Sequence, residues 1–440
     1  MIKSSIKKII PKFVIKALRY LKEKLYDNAK KKFIFLKMRK KHKYLLNEIK
    51  GKEKVKIIFL VIRRSVWKVD PVFKKMLADP FFEPLILVIP DTTYNEGLMW
   101  EEMNETFKYF EAKGYPTEFA YKEESNKWTA LHEMKPDIIF FTDPHNLTRK
   151  EYYEDAYLNY LSCYVPYFLL TTTHGGDQSI YNHHFHNAIW KSFMPHEYSM
   201  VRAKQVAASK AINCIITGYP SCEEFVSQKN SIMTVISVWK RQPGKKKIIF
   251  SPHHTIEAGE LELSNFLAIA DYMLGLANKY KDKVQWSFKP HPILKSKLFL
   301  HPDWGEKKTD AYYSFWESQE YTQLDEGEYT DLFIQSDAII HDCGSFIAEY
   351  PFVAKPCAYL ELNGESQLKS INDFGKYALG SYERIKSKEA IVEFIDSVVS
   401  GKASLKPAHL DYLNNYVYPI YKDKLPSEKI LEILTNSLKK

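Results

Sequence analysis

The chain has 440 residues, 45% of them hydrophobic and 27% charged, a length and balance that suit two folded domains plus an appendage and exclude a disordered chain. Its five cysteines (Cys163, Cys214, Cys222, Cys343, Cys357) lack Cys-x-x-Cys spacing, which excludes a disulfide scaffold and a Cys-based zinc module. The net charge of +9 is uneven. Residues 1–57 carry 20 Lys or Arg against 4 Asp or Glu, a net of +16, and the remaining 383 carry 43 against 50, a net of −7. A nucleic-acid binder would spread basic charge over its folded surface, so no nucleic-acid partner is predicted.

Residues 1–50 read as a basic amphipathic arm. Ile6, Ile9, Ile10, Phe13, Val14, Ala17, Leu18, Leu21 and Leu25 follow the i, i+3, i+4 spacing of a helix, with Lys7, Lys8, Lys12, Lys16, Arg19 and Lys22 at other positions. A second basic stretch, Lys30 to Lys43, includes Phe33, Phe35, Leu36 and Met38. No run of about 18 apolar residues is present to span a bilayer, and the interleaved lysines do not fit a signal peptide. The arm predicts a peripheral protein held on an anionic inner-membrane cytoplasmic face through residues 1–45. The alternative is a helix packed on the globular body with its lysines solvated.

From residue 55 short apolar runs alternate with helical patterns, the signature of parallel α/β units. Strands are predicted at Val55–Ile62, Pro84–Ile89, Glu118–Tyr121, Asp137–Phe141, Tyr167–Thr171 and Ala211–Thr217, with helical stretches near 97–113 and 127–134 and a helix from Ser221. The polar stretch 241–247 (RQPGKKK) separates residues 51–240 from a second half, 241–440, of similar build. That half predicts strands at Ile248–Phe250, Val284–Phe288, Ala338–His341 and Cys357–Leu360, helices near 261–279 and 329–335, and terminal helices after about 383. The fold class is therefore α/β, with two tandem doubly wound Rossmann-like domains. Ligands of such sheets bind beyond the strand C-terminal ends, here in a cleft expected between the domains.

Four polar sets follow predicted strands. In Thr171-Thr172-Thr173-His174-Gly175-Gly176-Asp177 a His suits a general base near neutral pH, or merely caps a strand end. Ser251-Pro252-His253-His254-Thr255 offers hydroxyls and imidazoles to a phosphate or ribose. In Lys289-Pro290-His291-Pro292 two prolines stiffen the loop and Lys289 supplies a point charge for phosphate, unless the segment is simply a rigid turn. In Asp342-Cys343-Gly344-Ser345 a strand gives way to a helix start whose N–H groups and hydroxyl suit an anion, with Glu349 one helical turn on. In Tyr181 to His186, His183 and His186 are spaced for one helical face, but no Cys or second His pair accompanies them at a convincing spacing, and no Asp-x-Asp occurs, so no metal is predicted.

Together these sets resemble the CDP-glycerol glycerophosphotransferases. Asp342, Ser345, Glu349 and Tyr350 stand in register with that family's Asp-Tyr-Ser-Ser-x-x-x-Asp-Tyr motif, followed by Lys355-Pro356. His291-Pro292 resembles its His-Pro motif, and His174-Gly175 the start of its His-Gly-Thr-Pro motif. The resemblance covers roughly residues 165–365. Gly176-Asp177 stands where the family has Thr-Pro, His253-His254-Thr255 where it has Thr-Trp-Arg, and Gly344 and Glu349 where it has Ser and Asp.

The resemblance implies a GT-B fold, a CDP-activated donor bound by the second half, and catalytic roles for His174 and His291. Pro252, His254, Thr255, Lys289, Asp342, Gly344, Ser345 and Glu349 would bind the donor nucleotide and phosphates, and Gly175 and Asp177 would shape the acceptor side. It implies transfer of a glycerol or ribitol phosphate to a hydroxyl of a lipid-linked envelope or capsule glycan, with release of CMP and no obligatory cofactor. The alternative is a GT-B glycosyltransferase using a CMP- or UDP-sugar in capsule or lipopolysaccharide synthesis, or a related nucleotide-sugar epimerase.

Overall fold

The computed structural model describes residues 12–173, 175–227, 237–240, 244–257 and 261–439, with side chains from residue 26 onward. His174 and residues 241–243 of the predicted linker lie outside the described residues, as do the first eleven residues of the arm. The chain divides into two compact units. One is built from the described residues of Met1–Tyr167, Gly175–Thr217 and Ser427–Lys440, the other from those of Phe168–His174 and Gly218–Pro426. Each is Rossmann-like, as in the GT-B class.

The first unit starts from β1 (Val55–Val61), buried at six of seven positions, as a strand covered on both faces must be. It pairs in parallel with β2 (Phe82–Val88), which pairs with β3 (Thr117–Phe119). A small hairpin of β4 (Tyr121–Lys122) and β5 (Lys127–Trp128) follows. Then come β6 (Ile138–Phe141), β7 (Leu161–Tyr164), β8 (Lys191–Met194) and β9 (Cys214–Ile216). The sheet order is β3-β2-β1-β6-β7-β8-β9, so the strand sequence reverses direction between β1 and β6.

The helix Lys12–Ile49 packs on the short helix His184–Ala188 of this unit. Met38 joins a core containing Ile58, Leu60 and Phe185. Phe35, Met38 and Ile49 are buried, while Tyr26, Phe33, Leu36 and Tyr44 are more than half or about half exposed on the other face. The final helix contributes Glu428, which pairs with Lys75 at 3.2 Å.

The second unit has β10 (Lys246–Ser251), β11 (Val284–Phe288), β12 (Thr322–Leu324), β13 (Ala338–His341), β14 (Cys357–Leu360) and β15 (Glu383–Ile385), all parallel, in the order β12-β11-β10-β13-β14-β15. Its core stacks Phe288 on Trp316 at 5.1 Å, with Phe250, Trp286 and Tyr312 around them. The reversal falls between β10 and β13.

Two sequence expectations need correcting, and three strands had not been expected. Tyr167–Thr171 is not a strand: the strand is Leu161–Tyr164, and Phe168 to Thr173 belong to the second unit. There Thr172 bridges Ile371 and the Thr171 hydroxyl donates to Gly344 O at 2.9 Å. The helical stretch at 127–134 is a hairpin strand followed by one helical turn, Leu131–Met134. Strands β8, β12 and β15 carried only three or four residues each and gave no periodic signal.

Candidate functional site

In the second unit three of the predicted sets converge at the C-terminal ends of β10, β11 and β13, beside the point where strand order reverses. Backbone bonds fix the loops to one another: His291 N–H donates to Pro252 O at 3.1 Å, and Asp342 N–H to Ser251 O at 3.4 Å. The Ser251 hydroxyl donates to Lys289 O at 2.5 Å. Ordered loops at the switch point are where a doubly wound sheet takes its ligand.

Asp342 is fully buried and anchors this edge. Its Oδ1 accepts His253 N–H at 2.6 Å, and its Oδ2 accepts Asn265 N–H at 2.6 Å and Asn265 Nδ2 at 3.1 Å. Burial pushes its carboxyl up to about 7, and those donors pull against the rise. The sequence placed Asp342 among the donor-binding groups; its oxygens instead hold the loops in position. Asn265 escaped the sequence reading. It stands at the start of the helix Phe266–Lys279, as a cap residue would, but its side chain serves Asp342, Leu263 O and Leu360 O.

His253, His254 and His291 form an imidazole cluster with ring centroids 4.2 to 5.0 Å apart. His253 is buried and bonded through Nδ1 to the Thr255 hydroxyl at 2.9 Å, which also accepts Leu263 N–H. Burial, then His291 and His254, hold His253 well below the usual imidazole range, so it is neutral at pH 7. The ligand atoms of the three rings lie within 4.8 Å of one another, close enough to share one cation. Lys289 lies in the neighbouring loop, its ammonium donating to Gly327 O at 2.6 Å.

After β13, Gly344 and Ser345 lead into a single helical turn, Phe346–Glu349, continued as a 3-10 turn. Ser345 is half-buried and its side chain makes no cap bond, while Glu349 is buried and accepts the Tyr329 hydroxyl at 2.5 Å. Tyr350 bonds Ser336 at 2.8 Å, and Lys355 caps the carbonyls of Ile334 and Ser336. Glu349, Tyr350 and Lys355 thus brace the unit from within.

Gly175 and Asp177 fall in the first unit. Gly175 and Gly176 both take positive φ, 70° and 75°, at the start of the helix Gly176–Tyr181, and Asp177 pairs with Arg202. The first unit has its own polar group where its strand order reverses, which the sequence reading missed. Arg63, just past β1, donates to the Tyr94 hydroxyl at 2.8 Å and lies 3.5 Å from buried Asp91. Asp143, past β6, accepts His145 N–H at 2.8 Å, and burial raises its carboxyl. His183 and His186 cap their own helix.

No family model and no curated protein matches the chain. Solved structures do. The UDP-GlcNAc 2-epimerase of Neisseria meningitidis bound to UDP-GlcNAc shares 16% identity at a TM-score of 0.54, over 87% of this chain and 100% of that one. A Staphylococcus aureus MnaA–UDP co-structure shares 16% identity at 0.53, over 87% and 97%. A putative UDP-N-acetylglucosamine 2-epimerase from Listeria monocytogenes shares 12% at 0.52, over 88% and 96%. The likeness establishes the two-domain Rossmann-like fold.

It also corrects the resemblance drawn from the motifs: the chain's fold is shared with structures named as UDP-GlcNAc 2-epimerases, and the assignment as a CDP-glycerol glycerophosphotransferase does not stand. The physical reason lies in the fold. Loops at strand ends recur in the same order in any pair of doubly wound sheets, so their order reports architecture. Glu349, Tyr350 and Lys355, which strengthened the match, have interior structural partners.

Proposed function

We propose that the chain is an enzyme acting on a nucleotide sugar, with the nucleoside diphosphate bound by the second unit at the ends of β10, β11 and β13. The observation that carries this reading is the convergence of the 251–255, 289–291 and 342–345 loops at the switch point of that sheet. Two of the structures it resembles, which hold UDP and UDP-GlcNAc, support it.

In this reading Gly344 and Ser345 offer N–H groups and a hydroxyl to the diphosphate. His254, His291 and Lys289 face it from the adjoining loops, and Pro252 and Thr255 shape the wall. Donors placed there stabilise negative charge as the glycosyl–phosphate bond breaks and the nucleoside diphosphate leaves. Asp342 positions His253 and Asn265 and so acts through the loops. His174 is the proposed base for an acceptor hydroxyl, with Gly175 and Asp177 on the acceptor side, and no metal or other cofactor is obligatory. The reaction is then glycosyl transfer to a hydroxyl of a lipid-linked glycan. Epimerisation of the nucleotide sugar is the second reading, favoured by the fold's likeness to UDP-GlcNAc 2-epimerases.

Incubation with UDP-GlcNAc, with and without a crude lipid-linked acceptor, separates these. Acceptor-dependent release of UDP supports transfer, and a C2 epimer formed without acceptor supports epimerisation. If UDP and UDP-GlcNAc both fail to bind, the proposal falls.

The chain is also proposed to lie on an anionic membrane face. Among the described residues no helix is long and apolar enough to cross a membrane. The outward face of Lys12–Ile49 sets Phe33, Leu36 and Tyr44 among Lys32, Lys37 and Lys40, an apolar and cationic mixture suited to a headgroup layer. Co-sedimentation with phosphatidylglycerol vesicles should be strong, and weak after Phe33→Glu with Leu36→Glu. Equal binding by that variant contradicts surface attachment.

A further inference from the structure

Between the helix Lys12–Ile49 and the 187–191 and 212–215 segments of the first unit lies a cavity of about 260 Å³. Its walls are of two kinds. Met38, Leu46, Ile189 and Ile215 line it with apolar surface, and Ile212, 60% exposed, stands at its rim. Arg39, Lys43 and Lys191 bring three cationic side chains to it, and no Asp or Glu is among the lining residues. Lys191 is half-buried, its ammonium 4.7 Å from the centre of the Trp190 ring, and burial lowers its pKa.

One lining group calls for a ligand. His42 is 6% exposed, and its Nε2 is buried with no hydrogen-bond partner among the described residues. A buried polar nitrogen left unmatched is costly, whereas one that meets a ligand oxygen is satisfied. The imidazole is neutral at pH 7, its pKa pushed down to about 4 by burial and then by Lys41, so it offers an N–H without adding charge.

We propose that this cavity is a binding site for a single anionic phospholipid, with the phosphate between Arg39, Lys43 and Lys191, an ester or phosphate oxygen on His42 Nε2, and the start of an acyl chain against Met38, Leu46, Ile189 and Ile215. The apolar wall recognises the chain. Three cations without a compensating acid select an anionic headgroup over a zwitterionic one. The site holds one molecule in a defined pocket, which a helix lying on a surface does not require.

The inference extends the membrane-surface reading, and the two fail separately because this test contains no vesicles. Monomeric dihexanoylphosphatidylglycerol, kept below its micelle concentration, is titrated into the full chain by calorimetry. The expected result is saturable one-to-one binding. Binding should weaken about tenfold in the Arg39→Ala, Lys191→Ala double variant and several-fold in His42→Phe, which keeps the packing and removes Nε2. Ile212→Trp, altered only at the exposed rim, should also weaken it by narrowing the mouth. Dihexanoylphosphatidylcholine should bind about tenfold less tightly. Absence of saturable binding, equal affinity for the two headgroups, or undiminished affinity in folded variants overturns the proposal.

Discussion

Asp342 holds together the edge on which the nucleotide reading rests. Its two oxygens accept three N–H groups from His253 and Asn265, and an amide in its place would turn an NH2 toward donors. Asp342→Asn should lower stability by about 1–3 kcal/mol, read as a urea midpoint. It should weaken UDP binding by letting the 251–255 loop drift; an unchanged midpoint contradicts the anchoring role. His291 differs, since it lies half-buried at the rim of the imidazole cluster. His291→Ala should reduce UDP affinity about tenfold with little change in thermal stability, and unchanged affinity removes it from the site. The cluster also has the spacing to hold a cation. Chelation with EDTA should leave UDP binding unaltered; loss of binding would make the trio a metal centre.

At the scale of elements, the long parallel strands were legible because burial on both faces writes a continuous apolar run. β1 and β11 appear within one residue of their expected ends. Among the short strands β6 (IIFF), β13 (AIIH) and β14 (CAYL) still read as apolar runs, whereas β8 (KSFM), β12 (TQL) and β15 (ERI) mix polar residues into three or four positions and emerge only through pairing. The 168–173 segment was misread for a related reason. Its apolar start, Phe168-Leu169-Leu170, looks like a strand, but Leu170 has φ of 50° and the threonines bond to the 344 and 370–372 segments. That docking depends on Gly375, where a Cβ would stand 2.3 Å from Thr171 O. Gly375→Ala should therefore destabilise the protein by about 1–3 kcal/mol, read by thermal or urea unfolding, because a backbone oxygen cannot step aside as a side chain can. A neutral effect would show the segment to be loosely held. The loops of the candidate site were legible, since His, Lys and Gly-Ser after strand ends are local in sequence. Its bracing was not, because Asn265 meets Asp342 across 77 positions.

For the whole molecule, buried neutral histidines set the response to acid. His42 is lowered to about 4, and His186 and His341 to about 3, each chiefly by burial. Unfolded, each would titrate near 6.5, so their contribution is complete above that pH and is lost as pH falls toward the folded values. Asp342 runs the other way: its carboxyl is raised, so its contribution is present below about 4 and fades as pH rises toward about 7. His253 is lowered as well and Asp143 is raised like Asp342, so the lowered imidazoles still outnumber the raised carboxyls, and the urea midpoint should drop between pH 7 and pH 4, with a smaller drop in His42→Phe. A midpoint constant over that range contradicts the burial of these rings as neutral groups.

The nucleotide reading is tested most directly by a crystal structure of the full chain with UDP. The diphosphate should lie on the second unit against Gly344 and Ser345, within hydrogen-bond reach of His254 or His291, with the base beyond the ends of β10 and β13. UDP bound elsewhere, or a saturating soak and co-crystallisation that leave those loops without nucleotide, would contradict the account.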